Sequence, residues 1–198
     1  MHCEGLLWYW GRAEAVGLWF GMIAFSLFFL SDYNDWRMGR KALRLCFPLG
    51  GLLLAAGTLL RCGEGEILVS GGAGKAVLFG AAAFLALLIY TLFFAIPAEA
   101  SYAKPGQKRR VCTTGVYALC RHPGVLWFVG LYACLSAAAG LPAVDSVVYS
   151  AANVLLIRFE DRLVFPALME GYDAYRAKTP FLIPNGRSIR DCFRGKDA

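Results

Sequence analysis

The feature that most limits the fold is a succession of apolar runs separated by short polar connections, at residues 13–30, 45–60, 76–96, 124–139 and 143–157. In hydrocarbon every backbone polar group must be satisfied within the protein, so runs of this kind cross as helices. The first three reach the length needed for about 30 Å of hydrocarbon, the second only barely. Pro48 lies near the start of the second run, where a helix tolerates it. The last two runs, joined by Gly140-Leu141-Pro142, are each shorter than the roughly 20 residues of a full span. They read as a tight helical hairpin, partly sunk in the bilayer, whose second helix continues past the surface. Composition agrees: 58% of the 198 residues are hydrophobic and 17% are charged. Soluble domains have about 45–50% and about 25%. That balance excludes a disordered chain, and the glycines show no collagen-like triplet period. The expected fold is therefore an all-α polytopic membrane protein with five transmembrane helices. It forms a single integral-membrane domain over 1–198, with three spans in 1–97, and in 98–198 a loop, the hairpin and a C-terminal helical segment.

Charge placement orients this arrangement. If the five runs alternate sides, one side receives four Lys/Arg in 31–44, five in 97–122 and eight in 158–198, seventeen in all. The other side receives Arg12, Arg61 and Lys75. Seventeen against three is a strong positive-inside bias, so the expectation is an N-terminus outside and a cytoplasmic C-terminus. The basic cluster in Lys104-Pro105-Gly106-Gln107-Lys108-Arg109-Arg110 then faces the cytoplasm, and the net charge of +6 meets anionic headgroups. Nucleic acid is a poor partner, because the cations are spread among loops beside the spans.

The seven cysteines form no C-x-x-C pair and only two histidines accompany them, which argues against a zinc site or a disulfide framework, so no metal is expected. Glu4, Arg12 and Glu14 interrupt the first apolar stretch, which is unlike a cleavable signal. Gly17-x-x-x-Gly21 suits either close packing within the chain or a homodimer face.

Two segments place polar groups against the apolar runs. The first is Gly115-Val-Tyr117-Ala-Leu-Cys-Arg121-His122-Pro123. Gly115 permits an unusual turn, Pro123 suits the first position of a helix, and Arg121 beside a helix start makes an anion site. The alternative is an Arg121 that snorkels to headgroups and a solvated His122. The second segment, Asn153 through Arg158, Glu160, Asp161 and Arg162, leaves the fifth run. On a regular helix Glu160 and Asp161 diverge by about 100°, so one meets a ligand or an arginine and the other water or a basic neighbour. The alternative is a helix end with local pairs such as Arg158 to Asp161. Farther on, Tyr172 and Tyr175 share a helix face with Arg176 beside Tyr172, followed by Lys178 and Pro180. Such a face suits ring stacking and a carboxylate, or an interfacial aromatic belt.

Taken together, Gly115-x-Tyr117-x-x-x-Arg121-His122-Pro123, the hairpin, Glu160-Asp161-Arg162-Leu163 and Tyr172-x-x-Tyr175 before Pro180 resemble the integral-membrane methyltransferases. That group includes the isoprenylcysteine carboxyl methyltransferases and phospholipid methyltransferases. The resemblance covers residues 111–184. It departs from the family pattern at Val125, Trp127, Asp161, Met169 and Lys178. It implies a transferase that takes S-adenosylmethionine on the cytoplasmic side and methylates a lipid-like or prenylated amphiphile, through a carboxylate or an amine. The residues implied for the cofactor are Tyr117, Arg121, His122, Pro123, Glu160, Asp161, Tyr172 and Tyr175. For the acceptor they are Arg158, Arg176 and Lys178, with Glu160, Asp161 or His122 as proton acceptor for an amine. The membrane sterol and steroid reductases, which bind NADPH, share Arg-His-Pro but continue R-H-P-N-Y-x-G-E. Here Gly124-Val125-Leu126-Trp127-Phe128 stands in that place. A non-enzymatic membrane protein accounts for the spans but not for the clustered motifs.

Overall fold

A computed structural model describes residues 3–96 and 108–193, with 3–16 as backbone only. Pro97, the Lys104-Pro105-Gly106-Gln107 turn and the tail 194–198 lie outside the described residues. The described chain is mostly helical. Its α-helices in order are α1 (Cys3–Tyr33), α2 (Cys46–Arg61), α3 (Gly71–Phe93), α4 (Val116–Leu119), α5 (Pro123–Ala138), α6 (Ala143–Phe159), α7 (Phe165–Leu168), α8 (Tyr172–Lys178) and α9 (Gly186–Phe193). The apolar runs thus become helices, the first of them ten residues longer at its start than the apolar run itself. The third starts earlier than its apolar residues do, because the Gly71-Gly72-Ala73-Gly74 stretch is already helical.

Among the described residues, two helices are long and apolar enough to cross a membrane, Lys41–Arg61 and Gly71–Phe93. Only 22% and 11% of their apolar windows are buried, the reverse of a soluble core helix. Leu52, Leu59, Leu60, Phe79 and Phe93 all point outward. The 23 residues of α3 extend about 34 Å, enough for the hydrocarbon, whereas the 16 of α5 extend about 24 Å and fall short. α6 is interrupted by Asp145, Ser146, Tyr149 and Asn153.

By compactness the chain forms two units, Met1–Phe79 with Tyr132–Leu156 and Gly80–Leu131 with Ile157–Ala198, a division that does not follow 1–97 and 98–198. In the first unit α1 packs along α2. A Cβ on Gly17 would run into the Arg61 side chain and one on Gly21 into the Tyr149 ring, so this small-residue pair serves close packing within the chain. The Tyr149 hydroxyl donates to the Gly17 carbonyl at 3.1 Å. Thr58 and Tyr132 share a buried 2.6 Å hydrogen bond. Arg61, expected in a polar turn, is instead buried: its Nε donates to Asp145 Oδ2 at 2.7 Å, and its Nη1 pairs with Glu64. Asp145 is fully buried in the first turn of α6. This pair fastens the end of α2 to the start of α6, with Gly65 N–H donating to the Gly140 carbonyl beside it at 2.6 Å.

In the second unit a two-residue parallel pair accompanies the helices: β1 (Arg109–Arg110) lies beside β2 (Met169–Glu170). The Val111 N–H extends it by donating to the Glu170 carbonyl at 3.2 Å, and Lys108 Nζ donates to the Pro166 carbonyl. The end of the basic cluster is thereby tied to the turn that precedes α8.

Candidate functional site

All the sequence-predicted site residues belong to the second unit. The first motif is built by a turn that only glycine adopts easily: Gly115 has φ 61° and ψ −135°. After one turn of α4 the chain extends at Cys120, and the Arg121 N–H donates to the Pro180 carbonyl at 2.9 Å. Pro123 then opens α5 at its first position, where the missing N–H costs nothing. Arg121 and His122 are consequently held at a helix start, and both are buried rather than snorkelling or solvated: their side chains are 9% and 4% exposed.

The second motif folds differently from expectation. α6 ends at Phe159 and gives way to a π turn over Glu160–Val164, closed by the Phe165 N–H onto the Glu160 carbonyl. Pro166 lies just beyond and can give no N–H back to Arg162, so the helical ladder cannot continue unchanged. A turn closed by i→i+5 bonds fits more residues into each revolution, and neighbouring side chains diverge by less than about 100°. Glu160 and Asp161 both come to His122. Glu160 Oε2 lies 3.6 Å from His122 Nδ1 and Asp161 Oδ1 lies 3.5 Å from His122 Nε2. One imidazole is bracketed by two adjacent carboxylates.

Asp161 is the node of the cluster. Its Oδ1 accepts the Tyr172 hydroxyl at 2.6 Å and lies 2.6 Å from Arg121 Nη1, while Oδ2 is 3.7 Å from Arg176 Nε. The alternative, a local pair of Asp161 with Arg158, is not formed. The Arg158 guanidinium instead lies 5.1 Å from the centre of the Phe181 ring, and that of Arg121 lies 5.3 Å from the same ring. The His122 ring stacks on Phe165 at 5.7 Å and meets Phe181 edge-on at 5.2 Å.

The tyrosines hold the cluster from below. Tyr172 and Tyr175 are buried, 3% and 5% exposed, so they do not form an interfacial belt. Their rings meet edge-to-face at 5.9 Å. The Tyr175 hydroxyl donates to the Tyr117 carbonyl at 2.6 Å, and the Tyr117 hydroxyl donates to the Thr91 carbonyl at 3.0 Å. Trp127 Nε1 donates to Thr91 Oγ1, so the end of α3 is bound to the same frame. All three tyrosine hydroxyls are thus engaged by the protein. Lys178, at the end of α8, is exposed.

Electrostatics follow from this packing. Burial alone would push the Asp161 carboxyl up, but the contacts from His122 and Tyr172 and the charge of Arg121 outweigh it and hold it down at about 2. Burial lowers the His122 pKa, against the opposing pull of Asp161, so the imidazole is neutral at pH 7. Burial raises Tyr117 to about 12 and Cys120 to about 11, and raises Tyr172 and Tyr175 as well. The tyrosines are therefore donors, never phenolates, near neutrality.

Among the described residues, polar capacity is left over at one place. Arg121 Nε and Nη1 and His122 Nε2 are buried and make no hydrogen bond. Nη1 is close enough to Asp161 for an ion pair yet lacks the alignment of a hydrogen bond. Buried donors without acceptors are rare and costly, roughly 1–3 kcal/mol each, and they mark where an acceptor group fits.

Of the residues named from the sequence, Arg121, His122, Glu160, Asp161, Tyr172 and Arg176 meet in this cluster, Pro123 opens the helix beside it, Tyr117 and Tyr175 brace it, Arg158 lies near Phe181, and Lys178 is exposed. Sequence reasoning missed Phe165 and Phe181, the rings that sandwich His122, and Thr91. The available signal for Phe181 was its place directly after Pro180. No family model, no curated protein and no solved structure matches this chain.

Proposed function

We propose that this chain is a polytopic membrane methyltransferase that uses S-adenosylmethionine and acts on a lipid-like or prenylated amphiphile at the cytoplasmic membrane face. The observation that carries the reading is the buried guanidinium of Arg121, whose Nε lacks an acceptor, beside a bracketed neutral imidazole. In this reading the five apolar runs cross or enter the bilayer, and both motif-bearing segments fall on the Lys/Arg-rich side.

The residues fit the cofactor group by group. Arg121 would donate to a carboxylate, Glu160 would accept from ribose hydroxyls, and an aromatic face of the tyrosines or Trp127 would meet adenine. When bound, the cofactor supplies an electrophilic methyl group. Tyr172 and Tyr175, with their hydroxyls engaged, act by fixing Asp161 and the Tyr117 backbone. Arg176 is committed to Asp161, which leaves Arg158 and Lys178 as the cations that orient an acidic acceptor. For an amine acceptor, Glu160 or His122 takes the proton. Rate enhancement on this scheme comes from positioning and from exclusion of water by the aromatic packing.

Calorimetric titration of the detergent-solubilised chain is the direct test. S-adenosylmethionine is expected to bind, Glu160→Ala to abolish that heat, and radiolabelled methyl to enter the organic-extractable fraction. Heat from NADPH but none from S-adenosylmethionine would discard the reading in favour of a reductase.

A further inference from the structure

Among the described residues of the second unit, outside residues 76–96 and α5, the exposed large apolar side chains are Leu163, Ile183, Ile189 and Phe193. Three of the four fall in one short stretch around α9. Ile183 and Phe193 are 81% and 85% exposed, more than any apolar side chain of α2 or α3.

The helix that carries them is firmly built. Asn185 caps it: Asn185 Oδ1 accepts the Ser188 N–H at 2.9 Å, and Ser188 Oγ accepts the Asn185 N–H at 3.0 Å. Ser188 is buried and the helix packs on α4, which fixes its rotation. Ile189 and Phe193, four residues apart, then share an outward face. On the helical wheel Arg190 flanks that face, and Arg187, 82% exposed, lies beyond it with Asp191 as a loose partner at 3.9 Å. An apolar stripe bordered on its open side by Arg190, with Arg187 farther round, on a short, strongly amphipathic helix has the make-up of a segment that lies in a membrane interface.

We propose that α9 docks on the acidic lipid headgroups of the bilayer that the chain itself enters, with Ile183, Ile189 and Phe193 in the interface and Arg187 and Arg190 on the phosphates. Charge complementarity selects this occupant over a second copy: the chain carries +6, and α9 carries Arg187 and Arg190 against the single acidic residue Asp191, a net positive surface that a like copy would repel. A bilayer is also at hand, because two helices of the same chain are long and apolar enough to cross one. Through α4 the docked helix abuts the segment that leads directly into Arg121 and His122. The proposal does not depend on the methyltransferase reading.

The test is amide hydrogen exchange over residues 186–193 of the full chain in lipid nanodiscs. One set contains phosphatidylcholine alone and the other one-third phosphatidylglycerol. Exchange is expected to be several-fold slower in the acidic discs, since each arginine at such a surface favours the docked state by about fivefold. The double variant Arg187→Gln, Arg190→Gln is expected to erase the difference, and Ile189→Ser with Phe193→Ser to speed exchange in both lipids. Unchanged exchange across α5 checks that the variants fold, and the wild-type comparison between lipids stands without them. Equal rates in the two lipids, or protection that follows the number of chains per disc, would overturn the proposal.

Discussion

The Tyr172 hydroxyl donates to Asp161 Oδ1 at 2.6 Å, and the same oxygen lies 2.6 Å from Arg121 Nη1. One carboxylate oxygen therefore joins α8 to the turn before α5, and Asp161 itself is only 4% exposed. Asp161→Asn would leave the Arg121 charge buried without a counterion, a loss on the order of 3–5 kcal/mol. Glu160, whose side chain is 19% exposed, is expected to cost clearly less as Glu160→Gln. Thermal unfolding of both variants in detergent measures the difference; similar melting of the Asp161 variant and the wild type would show that no ionic node exists.

Acid should dismantle the cluster in two stages. The His122 pKa is lowered on folding, so the stability it contributes is present above its ordinary value near 6.5 and declines as pH falls through the folded value. Asp161 is also depressed, from 3.8 to about 2, so its contribution of roughly 2 kcal/mol is intact above pH 3.8 and is lost below it. Unfolding midpoints taken from neutral to acid pH should fall first in the histidine range and again in the carboxylate range. His122→Gln is expected to remove the first step while retaining the second.

Tyr175→Phe separates a supporting role from a ligand role. The change deletes one donor to the Tyr117 carbonyl and leaves that acceptor short of a partner, which costs about 1–2 kcal/mol. Since its ring packing on Tyr172 survives, calorimetric affinity for S-adenosylmethionine should stay within a few-fold of wild type while the melting temperature drops. A large loss of affinity with unchanged melting would move the Tyr175 hydroxyl into direct ligand contact.

In the first unit, Arg61→Ala or Asp145→Ala breaks a sealed ion pair and is expected to destabilise by about 3–5 kcal/mol. Replacing both partners with apolar residues, Arg61→Met with Asp145→Leu, should recover most of that loss, because no lone charge remains buried. A double-mutant cycle on unfolding free energy reads the coupling; additive losses would show that the two side chains act independently.

The helices were legible because their cause is local. Uninterrupted apolar runs, Pro123 at a helix start and Gly140-Leu141-Pro142 between two runs each act through neighbouring residues alone. The turn into Arg121 was legible for the same reason, since a glycine with positive φ at residue 115 needs no distant partner. Arg61 was misplaced because its polarity suggests solvent, while its actual partner Asp145 lies 84 residues away.

What the sequence determined by itself was the helical, membrane-compatible character of the chain and the set of residues able to form a polar cluster. That Glu160 and Asp161 both reach His122 came from a π turn at the end of α6 and from the packing that brings His122 beside it. The assignment of Arg121 to Asp161, the aromatic sandwich around His122 and the exposure of α9 likewise arose only in three dimensions. Pattern in sequence fixes what each segment prefers to be; which charges meet is set by long-range packing, where desolvation makes every pairing a property of the whole surroundings.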